Sequence, residues 1–476
     1  MRYDHGTLHV IDRLKEMVRL AEGVKRNGAL TDAVETRALD CLERFGERLA
    51  RIPTSNVRAV GTNALRRMKD GWRFLSAAEE RLGHAIEIVS GQEEARLVYL
   101  GVAHGISERG NQRLVIDIGG GSTEFIIGRD FSPILLSSLY FGCVGIAQRH
   151  FADGKITRKR WKKARTAIEL ELQRIADDFK ACGWQEALGS SGTMKAVRSV
   201  AVNQGWSERG ITPDAAAEIR AALLSAGKVD KINLSGLSER RRPVFASGAV
   251  IVETCLDTLG LDRIIVADYA LREGLLYDML GRILHADPRN AAVEAMLERY
   301  RVDRGQAEQV RELALDLIDQ VRHHWGLSNN AQALLAWGAL LHEIGLNISH
   351  HGYHRHGAYL IENSDLPGFS KQEQLILAVL IRNHRRKPNP DLFLKLASRF
   401  QDDAIRITVL LRLAVLFNRA RALGESIPVR VEAKERKLRL FLPESWLNAH
   451  PLTLADLREE ASKLKKLDFR LDLVRD

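Results

Sequence analysis

Residues 115–125, VIDIGGGSTEF, set the tightest limits on the fold: an apolar run reaches Asp117, crosses three consecutive glycines, and resumes beyond Ser122, Thr123 and Glu124. Three glycines exceed what a hairpin turn needs. Glycine lets a turn adopt positive φ and lets a ligand approach the backbone closely. Successive free N–H groups then form an anion cradle, to which the Ser122 and Thr123 hydroxyls add donors. Phosphate is the expected occupant. A carboxylate on each flank, Asp117 and Glu124, repels that anion unless a hard cation lies between, so the stretch calls for Mg2+ together with phosphate. The competing reading is a glycine-rich turn with solvated acids.

Around this stretch the chain alternates two hydrophobic periods. TLHVID, VRAVGT and AIEIVSG read as strands, and TDAVETRALDCLERFGERLARI and EEARLVYLGVAHG as helices. RLVIDIGG, TEFIIGRD and ILLSSLYFG form a meander over 112–142. In the following helix Trp161, Ala164, Ile168, Leu172, Ile175 and Phe179 recur at three and four residues as one packed stripe. EALGSSGTMKAV and RIIVADYALREGLL each repeat a strand, glycine turn, helix scheme. Residues 289–420 carry almost only helical patterns, and the last stretch reads strand, strand, helix, strand. The expected fold is α/β: two lobes at 1–98 and 99–284, an all-helical domain at 285–422 and a small α+β domain at 423–476. MRYDHGTLHVID looks like a hairpin turned at DHG, with only three residues ahead of that turn.

Composition removes several function classes. No apolar run approaches the roughly 20 residues of a membrane span and no signal-like segment opens the chain, so a cytosolic protein is expected. Cys41, Cys143, Cys182 and Cys255 lie far apart without CxxC pairing, which suggests neither a disulfide framework nor a thiolate metal site, and they are expected to be buried, reduced and structural. The formal charge of +10 is concentrated in TRKRWKKAR, ERRRP, RNHRRK and KERKLR, which favours polyanionic partners, although each run alone reads as a solvated face. Aromatic residues are only 6% and do not interleave with the basic runs, so phosphate is favoured over nucleic acid.

Three further segments carry chemistry. In SGQEEARL, Glu93 and Glu94 open a helix after a strand; helix capping produces the same pattern, but hydrolysis of a phosphoanhydride needs a group to orient or deprotonate water. GTNALRR places Arg66 just past a strand end, where a guanidinium can hold a terminal phosphate. LGSSGTMKAV, with Gly192 and Thr193, is a second glycine and hydroxyl turn entering a helix, suited to another phosphate or a nucleotide sugar.

Together VGTNALR, SGQEEARL, VIDIGGGSTEF, GSSGT and ALREG resemble the exopolyphosphatase and guanosine pentaphosphate phosphohydrolase family, of the actin, Hsp70 and sugar kinase fold superfamily. The resemblance covers nearly the whole chain, and LLHEIGLNISHHGYHRHGAYLIENSDLPGF extends it to the long, four-domain exopolyphosphatase form with an HD-like helical domain. It implies Glu94 as the general base, Gly119, Gly120, Gly121 and Ser122 as the phosphate cradle, Asp117 and Glu124 as Mg2+ ligands, and Arg66 as the clamp on the terminal phosphate. A homodimer and removal of terminal phosphate from inorganic polyphosphate are implied as well. Hydrolysis of guanosine pentaphosphate, a non-catalytic polyphosphate or alarmone binder, and a phosphotransferase to ADP are the alternatives.

The family normally opens with a strand bearing an Asp-Leu-Gly-Ser-Asn-Ser-like loop opposite the GGGS loop. This chain carries no such segment, so it is expected to start just after that loop, short of half the clamp and one Mg2+ ligand. Among His342, His350, His351, His354 and His356, the HD-like pair reads His342-Glu343 without a matching later Asp. Polyphosphate contacts or plain structure are therefore expected there in preference to metal.

Overall fold

The computed structural model describes residues 11–12, 14–16, 18–25, 27–69, 71–106, 110–282, 287–421 and 427–475, and the backbone alone of 2–4, 7–9 and 283. The chain divides into two compact units, Met1–Gly281 and Arg282–Asp476.

In the first unit β1 (Arg2–Asp4) and β2 (Thr7–His9) pair antiparallel, as the opening hairpin requires, while His5 and Gly6 of its turn lie outside the described residues. Then come α1 (Leu20–Gly23), α2 (Asp32–Leu49), β3 (Ala59–Gly61), the single turn α3 (Asn63–Arg66), α4 (Gly71–Leu82) and β4 (Ile86–Ile88). β3 and β4 pair in parallel, and Ala38, Phe74, Leu75, Ala78 and Leu82 close a small core beside them. α5 (Gly91–His104) starts where the Ser90 hydroxyl accepts the Glu93 N–H at 3.1 Å, satisfying one orphan donor of the first turn. The boundary expected after residue 98 falls inside this helix.

The meander forms β5 (Gln112–Ile118), β6 (Thr123–Arg129) and β7 (Ser132–Leu139). α6 (Cys143–His150) and α7 (Arg158–Cys182) follow, and then β8 (Glu186–Ser190), α8 (Ser191–Asn203), α9 (Pro213–Ala226), α10 (Arg242–Leu259), β9 (Ile265–Val266) and α11 (Leu271–Ile283). The sheet runs β7-β6-β5-β8-β9, antiparallel through the meander and parallel from β5 to β9. Leu114–Ile116 and Phe125–Ile127 are buried on both faces, which is why these strands read as continuous apolar runs and not as alternation. On α7 the stripe is buried as expected except at Ile175, which is half-buried; Ala176, four residues after Leu172, takes the inward place. The glycine turn expected before α11 does not form, because Gly274 lies inside that helix. It is there for a close crossing: a Cβ on Gly274 would lie 1.7 Å from the Leu97 carbonyl oxygen of α5, and one on Gly101 2.1 Å from that of Ala270.

The second unit contains α12 (Pro288–Arg299), α13 (Arg304–Trp325), α14 (Asn329–Leu341), α15 (Tyr353–Asn363), α16 (Lys371–Asn383) and α17 (Ser398–Phe417). β10 (Arg430–Lys434), β11 (Lys437–Leu442), α18 (Glu444–Ala449), α19 (Pro451–Leu464) and β12 (Arg470–Arg475) complete it, with β11 central, β10 antiparallel and β12 parallel to it. One apolar core joins the helices to this sheet, through Leu410, Leu411 and Leu413 of α17, Leu438 and Leu440 of β11, and Phe469. All four cysteines are free; Cys182 is half-buried, contrary to expectation, and the other three are buried. Among the described residues no helix is long and apolar enough to cross a membrane.

Candidate active site

Strand register builds the centre of the site. Asp117 of β5 stands opposite Glu124 of β6, Glu124 opposite Ser138 of β7, and Asp117 beside Ser190 of β8. The four side chains therefore form one row across the sheet, with two carboxylates adjacent, an arrangement that like-charge repulsion disfavours. Ser138 Oγ donates to Glu124 Oε1 at 2.9 Å, but Glu124 Oε2 and Asp117 Oδ1 are buried without a hydrogen-bond partner.

α5 brings a third carboxylate to this row. Its first residue, Gly91, rests on Ser138, where a Cβ would lie 2.7 Å from the Ser138 Cβ. One turn in, Glu94 Oε2 accepts from Arg66 Nη1 at 2.9 Å, while the same nitrogen donates to the Val89 carbonyl at 2.8 Å. Glu93 is directed elsewhere: it holds Arg96 bidentately at 2.7 and 2.8 Å, and Arg96 and Arg58 share the buried Asp278. The Glu pair thus resolves into one member of a buried ion network and one member of the site. Arg66, expected as a phosphate clamp, is itself engaged by Glu94.

All three carboxyls have a raised proton affinity. Burial pushes Glu94 upward, Arg66 opposes it and Asp117 adds to the rise. Glu124 is pushed well above the ordinary carboxylate range by burial first, then by Glu94 and Asp117. Asp117 rises through burial, with Ser190 as counterweight. Orphaned buried oxygens on crowded acids are the donor set a hard divalent cation takes, so the residues fit Mg2+. Among the described residues no three His, Cys, Asp or Glu side chains are gathered to cage a metal alone. A cation here would complete its shell with water and substrate oxygens, as Mg2+ commonly does.

The glycine loop differs from expectation in one respect: Gly119, Gly120 and Gly121 do not adopt positive φ. At Gly121, and at Gly142 facing the loop, smallness serves close approach. A Cβ on Gly121 would lie 2.3 Å from Asn63 Oδ1, and one on Gly142 2.5 Å from the Gly120 backbone. The Gly119 and Gly120 carbonyls accept from the Cys143 and Val144 N–H groups, both at 2.9 Å, which pins the loop to the start of α6. Ser122 is buried at the loop, whereas the Thr123 hydroxyl donates to the Phe141 carbonyl at 2.7 Å and is not free for a ligand.

Gly192 and Thr193 meet Gly119 and Gly120 along a cavity of about 300 Å3 whose wall includes Arg19 and Arg241. Ser191 has φ +99°, a strained conformation for a residue other than glycine, and its Oγ accepts from the Thr193 N–H at 3.1 Å. The Arg241 guanidinium covers Gly192 so closely that a Cβ there would lie 1.8 Å from Nη2. Four residues escaped the sequence reading as individuals: Asn63, both of whose amide atoms are buried without a partner, Ser138, Ser190 and Arg241. All four lie in segments already singled out, but nothing local marks which member faces the site.

The model of the Ppx/GppA phosphatase family matches residues 1–283, and that of Ppx/GppA phosphatase domain III matches residues 289–461. A protein of Aeromonas hydrophila named guanosine-5'-triphosphate,3'-diphosphate pyrophosphatase is 38% identical over 470 residues, covering 98% of this chain and 94% of its own. One of the same name from Pseudoalteromonas translucida is 36% identical, over 98% and 93% of the two chains. Among solved structures, an exopolyphosphatase from Cytophaga hutchinsonii superposes with a TM-score of 0.53 at 22% identity, over 58% of this chain and 91% of that one, a likeness of fold.

Proposed function

Because the chain belongs to the Ppx/GppA phosphatase family, we propose that it releases the terminal phosphate of a small oligophosphate by base-assisted attack of water, with the 5′ end of guanosine pentaphosphate as substrate. The observation that carries this reading is the convergence of Glu94, Asp117 and Glu124, with unpartnered buried oxygens on the last two, beside a glycine loop. Glu94 takes the proton of the attacking water; the new P–O bond forms as the bond to the bridging oxygen breaks, leaving inorganic phosphate and a shortened nucleotide. Its raised proton affinity makes it a stronger base than an ordinary carboxylate. The Gly119–Ser122 loop binds and orients the phosphate. Asp117 and Glu124 would hold Mg2+, which when bound neutralises charge on the phosphate oxygens. Arg66 keeps Glu94 in place until substrate arrives.

Support for the nucleotide comes from the relatives named above, which match over 98% of this chain and 94% and 93% of their own, and from a group of cations at the neighbouring cavity. Arg19, Arg240 and Arg241 line that cavity, and the Lys15 amine is pushed down by burial and then by Arg241, Arg272, Arg240 and Lys195. A substrate with phosphate at two ends matches such an arrangement. Inorganic polyphosphate is the second reading, favoured by the basic runs in both units. Phosphate release from guanosine pentaphosphate and from long polyphosphate, measured side by side with Mg2+, decides: a higher kcat/KM for polyphosphate would overturn the nucleotide assignment. Release from neither would overturn the hydrolytic one.

A further inference from the structure

A cavity of about 470 Å3 in the second unit, within the size range of small-ligand sites, takes no part in the chemistry above. Five cationic side chains and two carboxylates line it. Three of the cations are matched: Arg421 holds Glu343 at 2.7 and 2.8 Å, Arg419 meets Asp456 at 2.6 Å, and Lys463 meets Glu459 at 2.9 Å. The remaining two, Arg385 and Arg386, have no carboxylate within ion-pair distance among the described residues. The Arg385 guanidinium lies 4.4 Å from the Tyr353 ring centroid.

The turn that presents these two arginines is held at a cost. Arg386 has φ +60°, a conformation that costs about 1 kcal/mol in a residue other than glycine. Its carbonyl accepts from Arg412 Nη2 at 2.6 Å. Arg412 is buried, also donates to the Asn383 carbonyl, and is neutralised by Glu460 at 2.5 and 3.0 Å. A buried ion pair thus fixes residues 383–386 so that successive guanidiniums stand unpaired at one cavity.

The histidines behind the wall fit the same field. His342, His354 and the unforeseen His384 are buried together, with ring centroids 5.4 Å apart for His342–His384 and 6.4 Å for His354–His384, whereas His350 and His351 are exposed. His342 and His384 hydrogen-bond through Nδ1 to backbone carbonyls at 2.6 and 2.7 Å, which leaves each Nε2 an unpartnered acceptor. His354 is pushed down to about 4 by burial and then by Arg382, Arg385, Arg355 and Arg386, a measure of how much positive charge converges here. Five cationic side chains against two carboxylates make this a cavity that fits an anion.

We propose that this cavity is a second phosphate-recognition site, taking the di- or triphosphate group of a small anion between Arg385 and Arg386. Guanidinium forks match phosphate oxygens in pairs, and an inorganic oligophosphate and a nucleoside triphosphate present the same group. The test uses the whole chain as Glu94→Gln, so that probes are not consumed. Inorganic triphosphate and GTP are titrated separately by calorimetry. At least one is expected to show two classes of site; Arg385→Gln with Arg386→Gln should weaken one class tenfold or more and leave the other, while Gly121→Val should do the converse. Binding of triphosphate places recognition in the phosphates alone, and binding of GTP only requires the nucleoside too; either supports the proposal. A single class abolished by Gly121→Val, or two classes both indifferent to the arginine pair, would overturn it. Replacing both arginines by lysine keeps the charge and should restore part of the affinity. A lysine pair as weak as the glutamine pair, with the unfolding midpoint lowered in both, would show that the turn had merely collapsed and would also overturn it.

Discussion

Glu124 is buried between Asp117, Glu94 and Ser138, and one of its oxygens meets no donor. Its folded-state pKa lies above the unfolded value, so the folded chain holds that proton more tightly. The contribution to stability is full below the ordinary carboxylate range and is lost as pH rises through the raised value. In chelator, Glu124→Gln should therefore be more stable than the parent at pH 7–8 by on the order of 1 kcal/mol per unit of upward shift. Mg2+ should raise the parent's unfolding midpoint and leave the variant's nearly unchanged; a variant less stable than the parent in chelator refutes the crowding. Glu94 is judged by rate instead. Glu94→Gln should lower kcat by roughly 100- to 10,000-fold with substrate affinity kept within a few-fold. Since the base must be deprotonated, the acid limb of kcat/KM should fall at a higher pH than for an ordinary carboxylate, in keeping with its upward shift. Residual turnover above a tenth of the parent's would remove Glu94 as the base.

At the scale of elements, α5 is what makes the site possible, because its first turn carries Glu94 to a sheet row that its own sequence cannot encode. The helix is seated by the crossing with α11, where Gly101 meets the Ala270 carbonyl and Gly274 the Leu97 carbonyl. Gly101→Ala should cost about 1–3 kcal/mol, read by denaturant unfolding. Because α5 must shift to admit the methyl group, kcat should drop even where the protein is fully folded; unaltered kcat would mean that the crossing does not position Glu94. The meander was legible because its strands are consecutive: once Asp117 and Glu124 flank a short turn, their pairing follows from local register. Ser190 was not, because β8 joins β5 through a crossover that includes α6 and α7, and no local period encodes which residue lands beside Asp117. Asn63 was quoted within its motif but not recognised, since only the folded loop shows that Gly121 leaves room for its amide. Positive φ at the glycines was not met: what the loop needs, at Gly121, is the missing Cβ and not the left-handed backbone.

Across the whole molecule the four basic runs separate into two kinds. In TRKRWKKAR, Lys159, Lys162 and Lys163 are exposed while Arg165 is matched by Glu169 and Asp257 at 2.7 and 2.8 Å. KERKLR is largely matched too, Arg436 by Asp402 and Lys437 by Asp472. These are solvated, screened faces worth little individually. ERRRP and RNHRRK differ: Arg240 and Arg241 line the cavity beside the glycine loops and Arg385 and Arg386 line one in the second unit, whereas Lys437 and Arg439 of KERKLR, at a further cavity, face Asp472 and Glu432. Net charge alone therefore overstates the case for a long polyanion. If the substrate is compact, Lys159→Glu, Lys162→Glu and Lys163→Glu together should change kcat/KM for guanosine pentaphosphate less than about threefold at 0.15 M salt, where charges beyond about 8 Å are screened. Arg241→Ala should lower it tenfold or more, mainly through KM, since a charged hydrogen bond to phosphate contributes about 1.5–3 kcal/mol. With long polyphosphate the order should reverse, the lysine triple variant losing more than Arg241→Ala and the loss growing at low salt. A triple variant that cripples pentaphosphate hydrolysis as severely as Arg241→Ala would show that the exposed face is part of the substrate path, and that the substrate is drawn along the molecule instead of into one pocket.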